Sequence, residues 1–262
     1  MLLIALALLS AQTEPLCDDE EQCRTQCNAG ILAQCQALAD TIVPDEPVEA
    51  IKLYERACGK GLVHSCAKLA FHLVERDPAN RQVHARALRL TEQACNADDA
   101  LGCANLGAWL WDEGPAHFAR AAVAAEKGCR LKDAYACGTL GTMYKDGIGV
   151  EKDPKKALSL MSEACEAGSP WICTVLGVAL IEGTVGKVDV KRAARLFTEA
   201  CDEEYATACY QLSGANRRGL GVRRDRRKAQ ELLGLACELG MAEACPGEDD
   251  SDVEPTETEE AP

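Results

Sequence analysis

The sequence predicts an all-α chain, a right-handed solenoid of about six repeats in which each unit is a pair of antiparallel helices held by one disulfide. Three observations point there. Fourteen of the sixteen cysteines form seven pairs with the same internal spacing of eight: Cys27/Cys35, Cys58/Cys66, Cys95/Cys103, Cys129/Cys137, Cys165/Cys173, Cys201/Cys209 and Cys237/Cys245. The pairs recur every 31 to 37 residues, with the last three intervals each 36. Around several pairs the same punctuation returns, with small residues and glycine after the second cysteine, Gly-x-Gly-Val at 147–150 and 219–222, then Asp followed by a basic stretch and Ala. A period of this length marks units that bury their apolar faces against their neighbours.

The copy around Cys137 justifies each element. Ala136, Leu140 and Tyr144 recur at i, i+4 and i+8, one apolar stripe of a 3.6-residue period, so the first half is a helix. Gly141 in that stripe costs about 1 kcal/mol of helix propensity against Ala, and its use is to let a neighbouring helix approach. Gly147 and Gly149 stop the helix, since glycine accepts the left-handed conformation of a helix end. Asp153-Pro154 restarts the chain as an N-cap with proline at the first helical position. Asp189 and Asp225 stand at the equivalent places later. Each cysteine pair then joins the last turn of one helix to the first turn of the next across a short turn, which can bring the Cα atoms within disulfide reach. A bridged loop of nine residues is worth about 2.5 kcal/mol by the chain-entropy model.

These residues resemble a Sel1-like repeat protein, a relative of the tetratricopeptide repeats. The resemblance extends to the Helicobacter cysteine-rich proteins, in which one such disulfide staples each repeat. It covers about residues 23–246 and is strong in the copies centred on Cys137, Cys173 and Cys209. It is weaker near Cys66 and Cys103, where Arg76-Asp77-Pro78-Ala79-Asn80 and Glu113-Gly114-Pro115 depart from Gly-x-Gly-Val.

At the N-terminus, Leu2 to Leu9 form a short apolar core followed by Ser10-Ala11-Gln12, similar to a secretory signal cleaved after Ala11, although no Lys or Arg precedes the run. The expected organisation is a signal peptide at 1–11, an N-terminal segment or cap at 12–26, the repeat solenoid at 27–246 and a disordered acidic tail at 247–262. An even, regularly spaced cysteine set argues for an oxidising compartment, the bacterial periplasm or the exterior. Metal-ligand spacings such as C-x2-C do not occur. Glu14-Pro15-Leu16 before Cys17 does not match a lipobox. Cys17 and Cys23 are the leftover pair; they can bridge each other, but Cys27 lies four residues from Cys23 and competes, so the connectivity there stays open.

The net charge of −14 is concentrated at the ends. Glu14 to Glu21 carries five acids and no base, and Glu248 to Glu260 carries eight acids and no base. Setting these thirteen of 42 acids aside leaves 29 against 28 bases, a nearly neutral stack for which nucleic acid is not an expected partner. One cationic run, Arg217-Arg218 through Arg223-Arg224 to Arg226-Arg227-Lys228, is either a solvated interhelix loop or an anion site, which the acidic tail of the chain could fill.

In tetratricopeptide-like stacks the first helices line a concave surface. If cysteine marks the core face, positions Cys−2, Cys+1, Cys+5 and Cys+8 turn away from it. They hold His64, Phe71, Trp111, Tyr135, Lys145, Trp171, Thr174, Tyr210 and Arg217, and five of the eleven aromatics fall among them. Aromatics interleaved with cations suit a binding surface, although packing against a neighbouring repeat would explain single members equally well. The expected partner is a protein, a peptide or a peptidoglycan fragment, with a monomeric chain, no transmembrane segment and no cofactor or metal.

The resemblance to the cysteine-rich proteins also implies an alternative, a penicillin-binding protein with weak β-lactamase activity. Such chemistry needs S-x-x-K with S-D-N and K-T-G companions. The chain has one S-x-x-K, Ser65-Cys66-Ala67-Lys68, and neither companion. Ser65 also aligns with Gly102, Ala136 and Ala208, a position of small packing residues, so Ser65 and Lys68 are weak catalytic candidates. His64, His72, His84 and His117 form no H-E-x-x-H, and the C-x-x-C of a thiol oxidoreductase is missing, as is the C-x-x-C-H that haem work would need in the likeness of the related cytochrome c oxidase assembly factor.

Overall fold

A computed structural model describes Cys17 and residues 19–245. The signal peptide with its cleavage point and the acidic tail lie outside the described residues. The described chain holds thirteen α-helices and no strand: α1 (Glu20–Asn28), α2 (Leu32–Ile42), α3 (Pro47–Gly59), α4 (Val63–Arg76), α5 (Arg81–Asn96), α6 (Ala100–Asp112), α7 (Phe118–Arg130), α8 (Ala134–Asp146), α9 (Pro154–Glu166), α10 (Pro170–Glu182), α11 (Val190–Asp202), α12 (Ala206–Arg218) and α13 (Arg226–Glu238). Short 3-10 turns at Pro115–His117 and Ala242–Ala244 complete it. The chain forms two compact units, one up to Trp109 and one from Leu110, so the division falls within α6.

The expected helix punctuation is present. Asp153, Asp189 and Asp225 each accept a backbone N–H of the first turn of α9, α11 and α13, at 2.9–3.1 Å. Their own N–H groups donate to Tyr144, Leu180 and Asn216, each nine residues back, which fixes one return angle in three successive repeats. Gly147, Gly183 and Gly219 end α8, α10 and α12 in the left-handed region at φ of 76, 72 and 74°.

All seven spaced pairs are bridged, with Cα–Cα distances of 4.4–4.8 Å, and Cys17 pairs with Cys23. Most of the bridges have at least one sulfur in the core, whereas the last, Cys237–Cys245, closes at the surface with Cys245 exposed. Cys35, Cys66, Cys103 and Cys209 are fully buried, and Cys27, the partner of Cys35, is 1% exposed. Besides crosslinking each turn, the second cysteine is a packing residue in every copy but the last, on the core face assumed for it from the sequence. The reason is geometric. Cys35 lies one turn before Leu38 and Ala39 on the inward face of α2, so its sulfur joins the same apolar cluster. The buried cysteines are therefore packing residues as well as crosslinks.

Each spaced bridge spans a turn with a fixed conformation. The third residue after the first cysteine is left-handed in every copy: Gly30, Gly61, Asp98, Lys132, Gly168, Glu204 and Gly240. Its N–H donates to the cysteine carbonyl at 2.9–3.0 Å, the tight reversal that turns one helix into the next. Three copies therefore place a side chain where a Cβ is penalised by roughly 1–2 kcal/mol. Lys132→Gly and Glu204→Gly should each raise stability by about 0.5–1 kcal/mol after the extra backbone entropy of glycine is offset, read as a higher urea midpoint at unchanged slope.

Each unit has its own apolar core. The first is built on Leu38, Ile42, Tyr54 and Leu69 with the buried cysteines of α1–α4. The second is built on Met161, Ile172, Leu176, Phe197 and Leu212. Glycine admits the close contacts between helices of the second core. A Cβ on Gly141 would meet Met161 Cγ at 2.6 Å and the Ala157 carbonyl at 3.3 Å, and one on Gly177 would meet Phe197 Cε1 at 2.5 Å. The close approach expected at Gly141 is thus present and recurs one repeat later.

Candidate functional site

In the second unit the even-numbered helices carry the residues at Cys−2, Cys+1, Cys+5 and Cys+8 toward two adjoining recesses. Tyr135 opens α8 and Trp171 opens α10, one repeat apart, and their rings meet at 5.0 Å between centroids with a 34° tilt. Tyr135 is nonetheless partly exposed. Burial, reinforced by Asp112 and Asp133, raises its phenol above the ordinary value. Beside this pair lies a notch of about 230 Å³, lined by Lys145, Trp171, Thr174, Val175, Val178, Glu182, Tyr205, Thr207 and Gln211. Lys145 Nζ sits 2.6 Å from Asp146 Oδ1, with 15% of its side chain exposed, so it lines the notch already partnered.

Next to the notch is a larger basin of about 810 Å³, lined by Tyr210, Gln211, Gly214, Arg217, Arg218, Arg224, Arg226, Gln230 and Glu243 among others. Gln211 borders both recesses. Arg218 Nε donates to the Gly214 carbonyl and Arg224 Nε to the Arg217 carbonyl, each at 3.2 Å, which holds two guanidinium groups against the wall through backbone oxygens instead of carboxylates. The cationic run therefore spans the end of α12, the loop at Arg223 and Arg224 and the start of α13, and part of it forms the wall of a recess.

The structure separates the remaining expected residues. Thr174 is buried, 3% exposed, and its hydroxyl donates to the Pro170 carbonyl at 2.8 Å, so it borders the notch with its polar atom already used. Cys+1 lies about 100° from the cysteine, and Ala67, Ala104 and Thr174 there meet core, whereas Tyr210 in α12 is 37% exposed. His64 and Phe71 belong to the first unit, where His64 Nδ1 lies 2.8 Å from Asp99 Oδ2 and the exposed Phe71 meets His72 edge-on. Trp111 is half-buried near the end of α6. Register with the cysteines also points to Val178, Thr207, Gly214 and Glu243, which occupy equivalent positions and line the recesses. A choice of aromatics and cations alone passes over them.

Ser65 and Lys68 are bonded to different partners. Ser65 is fully buried and its hydroxyl donates to Gln36 Oε1 at 2.8 Å. Lys68 Nζ donates to Asp40 Oδ1 at 2.7 Å, the same oxygen that accepts the Tyr54 hydroxyl at 2.5 Å. Burial first, and then this bond to Asp40, raise the Tyr54 phenol well above its ordinary range. A nucleophile needs an adjacent base and a path for substrate, and Ser65 faces an amide oxygen in a closed interface. Among the described residues no group of three or more His, Cys, Asp or Glu could hold a metal ion, and all sixteen cysteines are bridged.

Asp99 has a structural use. Its Oδ1 accepts the Gly102 N–H at 2.7 Å at the start of α6, and Oδ2 faces His64. Burial alone would raise the carboxyl, but His64 and the Gly102 amide outweigh it and leave Asp99 below the usual carboxylate range. A depressed folded-state value gives stability that is present above the unfolded carboxyl's ordinary pKa and lost as pH falls through the folded one. Asp99→Ala should cost about 1 kcal/mol at neutral pH, and the gap from the native chain should narrow when both are unfolded by urea near pH ~3.

The repeat can now be placed among known proteins. Residues 26–62, 64–99, 134–169, 173–205 and 206–241 match the Sel1 repeat. The chain belongs to the Sel1 repeat family. The unmatched stretch between 99 and 134 contains the departing Glu113-Gly114-Pro115 loop, yet it keeps its helix pair and its place in the disulfide series. A Sel1 repeat protein from Oxalobacter formigenes is similar at 18% identity and a TM-score of 0.67, over 84% of this chain and 99% of that one. A protective antigen present in uropathogenic Escherichia coli strains is similar at 18% identity and 0.65, over 86% of this chain; the chain spans 50% of the antigen's length. Helicobacter pylori cysteine-rich protein B aligns at 28% identity over 46% of this chain and 86% of that one, with a TM-score of 0.38. No curated protein sequence matches the chain. At 18% identity the likenesses to the Oxalobacter protein and the antigen bear on fold alone. Sel1 repeats are protein-interaction modules, and the disulfides of this one are consistent with an extracellular or periplasmic protein. No helix of the described residues is long and apolar enough to cross a membrane.

Proposed function

We propose that this Sel1 repeat protein is a non-enzymatic scaffold of the periplasm or the cell exterior that holds an extended peptide segment, of a protein or of a cell-wall stem peptide, along α8, α10 and α12. The observation that carries the reading is the shared border at Gln211, which sets the aromatic notch directly beside the cationic basin. A bound segment would place an apolar side chain beside Trp171 and Val178 and acidic groups beside Arg217 and Arg218. Apolar anchoring with flanking charge is how shallow helical surfaces bind with specificity. Disulfides at every turn suit the role, because a groove held rigid before binding loses little entropy on binding. No observation favours β-lactam hydrolysis, since Ser65 is buried and bonded to Gln36.

A peptide library displayed on phage and selected on the oxidised protein tests the reading. Peptides with an apolar residue followed by acids should be enriched, and Trp171→Ala should weaken the best of them at least tenfold with the far-UV circular dichroism of the folded chain retained. Enriched peptides indifferent to Trp171→Ala, or no enrichment, would overturn it.

A further inference from the structure

The basin has an excess of cations that nothing described in the structure neutralises. Arg217, Arg218, Arg224 and Arg226 line it, and the carboxylate among its lining residues is Glu243. All four arginines are exposed, and the hydrogen bonds of Arg218 and Arg224 go to backbone carbonyls. Four like charges around one cavity repel one another and favour an anionic occupant. A planar guanidinium pairs best with a carboxylate.

The position of Glu243 suggests where that occupant comes from. Glu243 lines the basin and is followed by Ala244 and by Cys245, which is bridged to Cys237 of α13. The chain is therefore tethered at the edge of the cavity. Three residues later begins the stretch from Glu248 to Glu260, with eight acids and no base. Thirteen residues can span up to about 45 Å when extended, more than enough to reach across a cavity of this volume. Attachment beside the site gives such a segment an effective concentration of about 1 mM.

We propose that residues 248–260 occupy the arginine basin of their own chain and so compete with any acidic ligand for it. The inference rests on the recess described above and concerns its regulation. Specificity then comes from displacement, because a foreign segment must outbind a tethered one and needs the apolar notch to do so. Val253 and Pro255 are the apolar side chains between Glu248 and Glu260 and neither is aromatic or long, so the chain's own segment is poorly equipped for the notch.

The test uses the full chain and a fluorescent synthetic peptide of residues 248–260 as probe. In one variant all eight acids from Glu248 to Glu260 become Gln or Asn. Fluorescence anisotropy at low salt should show the probe binding this neutralised chain at least tenfold more tightly than the native chain. Adding Arg217→Gln and Arg218→Gln to the neutralised chain should abolish the gain, with far-UV circular dichroism and melting temperature unchanged. Equal binding to the native and neutralised chains would mean that the basin is open to outside ligands, and would overturn the proposal. Failure of the probe to bind either chain, or binding that survives the arginine substitutions, would overturn it as well. None of these readings depends on a foreign peptide entering the notch, so the proposal can fail while the groove reading stands, and the reverse.

Discussion

Complete reduction of the eight disulfides should unfold most of the helical structure at 25 °C without denaturant. The seven spaced bridges each close a loop with a sequence separation of eight. At about 2.5 kcal/mol per loop the set contributes roughly 17 kcal/mol, more than the net stability of roughly 5–15 kcal/mol typical of a folded domain. The loops do not overlap, so their effects on the unfolded chain nearly add. The inward faces of the helices are supplied largely by alanine, and small side chains bury little area. Ala50, Ala57, Ala67, Ala70, Ala87 and Ala94 are all fully buried in the first unit, where a larger core would carry leucine or phenylalanine. Circular dichroism at 222 nm after a phosphine reductant is the measurement. Loss of most of the signal is expected; a reduced chain with the same helicity and melting temperature would mean that packing alone sustains the stack. Replacing one bridge, Cys165→Ala with Cys173→Ala, should cost about 2.5 kcal/mol and leave the other repeats folded, as nearest-neighbour stability requires.

Phe197→Ala should be the most damaging single substitution among the buried side chains of the second unit, at about 3–5 kcal/mol. Phe197 in α11 is fully buried and its ring covers the Cα of Gly177, where a Cβ would meet Cε1 at 2.5 Å. Removing the ring leaves a void that neighbouring repeats cannot close, because bridges at Cys165–Cys173 and Cys201–Cys209 hold the helices on both sides. The complementary change, Gly177→Ala, should cost about 1–3 kcal/mol through overpacking. Combined with Phe197→Ala it should cost less than the sum, since the new methyl enters the vacated space. Urea titration of the two single variants and the double variant reads this coupling. Strict additivity would show that the two positions are energetically independent.

Much of the architecture can be read from local chemistry. Cysteine spacing, the aspartate caps at Asp153, Asp189 and Asp225 and the left-handed stops at Gly147 and Gly219 act within a few residues of chain, so a sequence displays them directly. The pairing of Cys17 with Cys23 is not legible, because three cysteines lie within eleven residues and spacing does not choose among them. Nor does spacing show how far each bridge is buried, from Cys35 inside the core to Cys245 at the surface, since burial depends on how neighbouring helices close over them. The left-handed turn at Asp98, Lys132 and Glu204 is hidden because side chains stand where glycine would have announced it. The site is legible as a face but not as a cavity. Trp171, Lys145, Tyr210 and Arg217 all reach the recesses, whereas the burial of Thr174 depends on how α10 meets its neighbours. Tyr144 illustrates the same limit. Read as part of an apolar stripe, it is half-buried with Lys156 over its ring at 4.2 Å and bonded to its hydroxyl at 2.6 Å. The bond to Tyr144 raises the Lys156 ammonium above its ordinary value.

The central claim is that the even-numbered helices of the second unit form the binding surface. Photocrosslinking tests it most directly, using a selected peptide that carries benzoylphenylalanine at its apolar position, followed by mass mapping of the adducts. The account predicts adducts on α10 and α12, near Trp171, Thr207 and Gln211. Adducts confined to the exposed faces of α9 and α11 would contradict it.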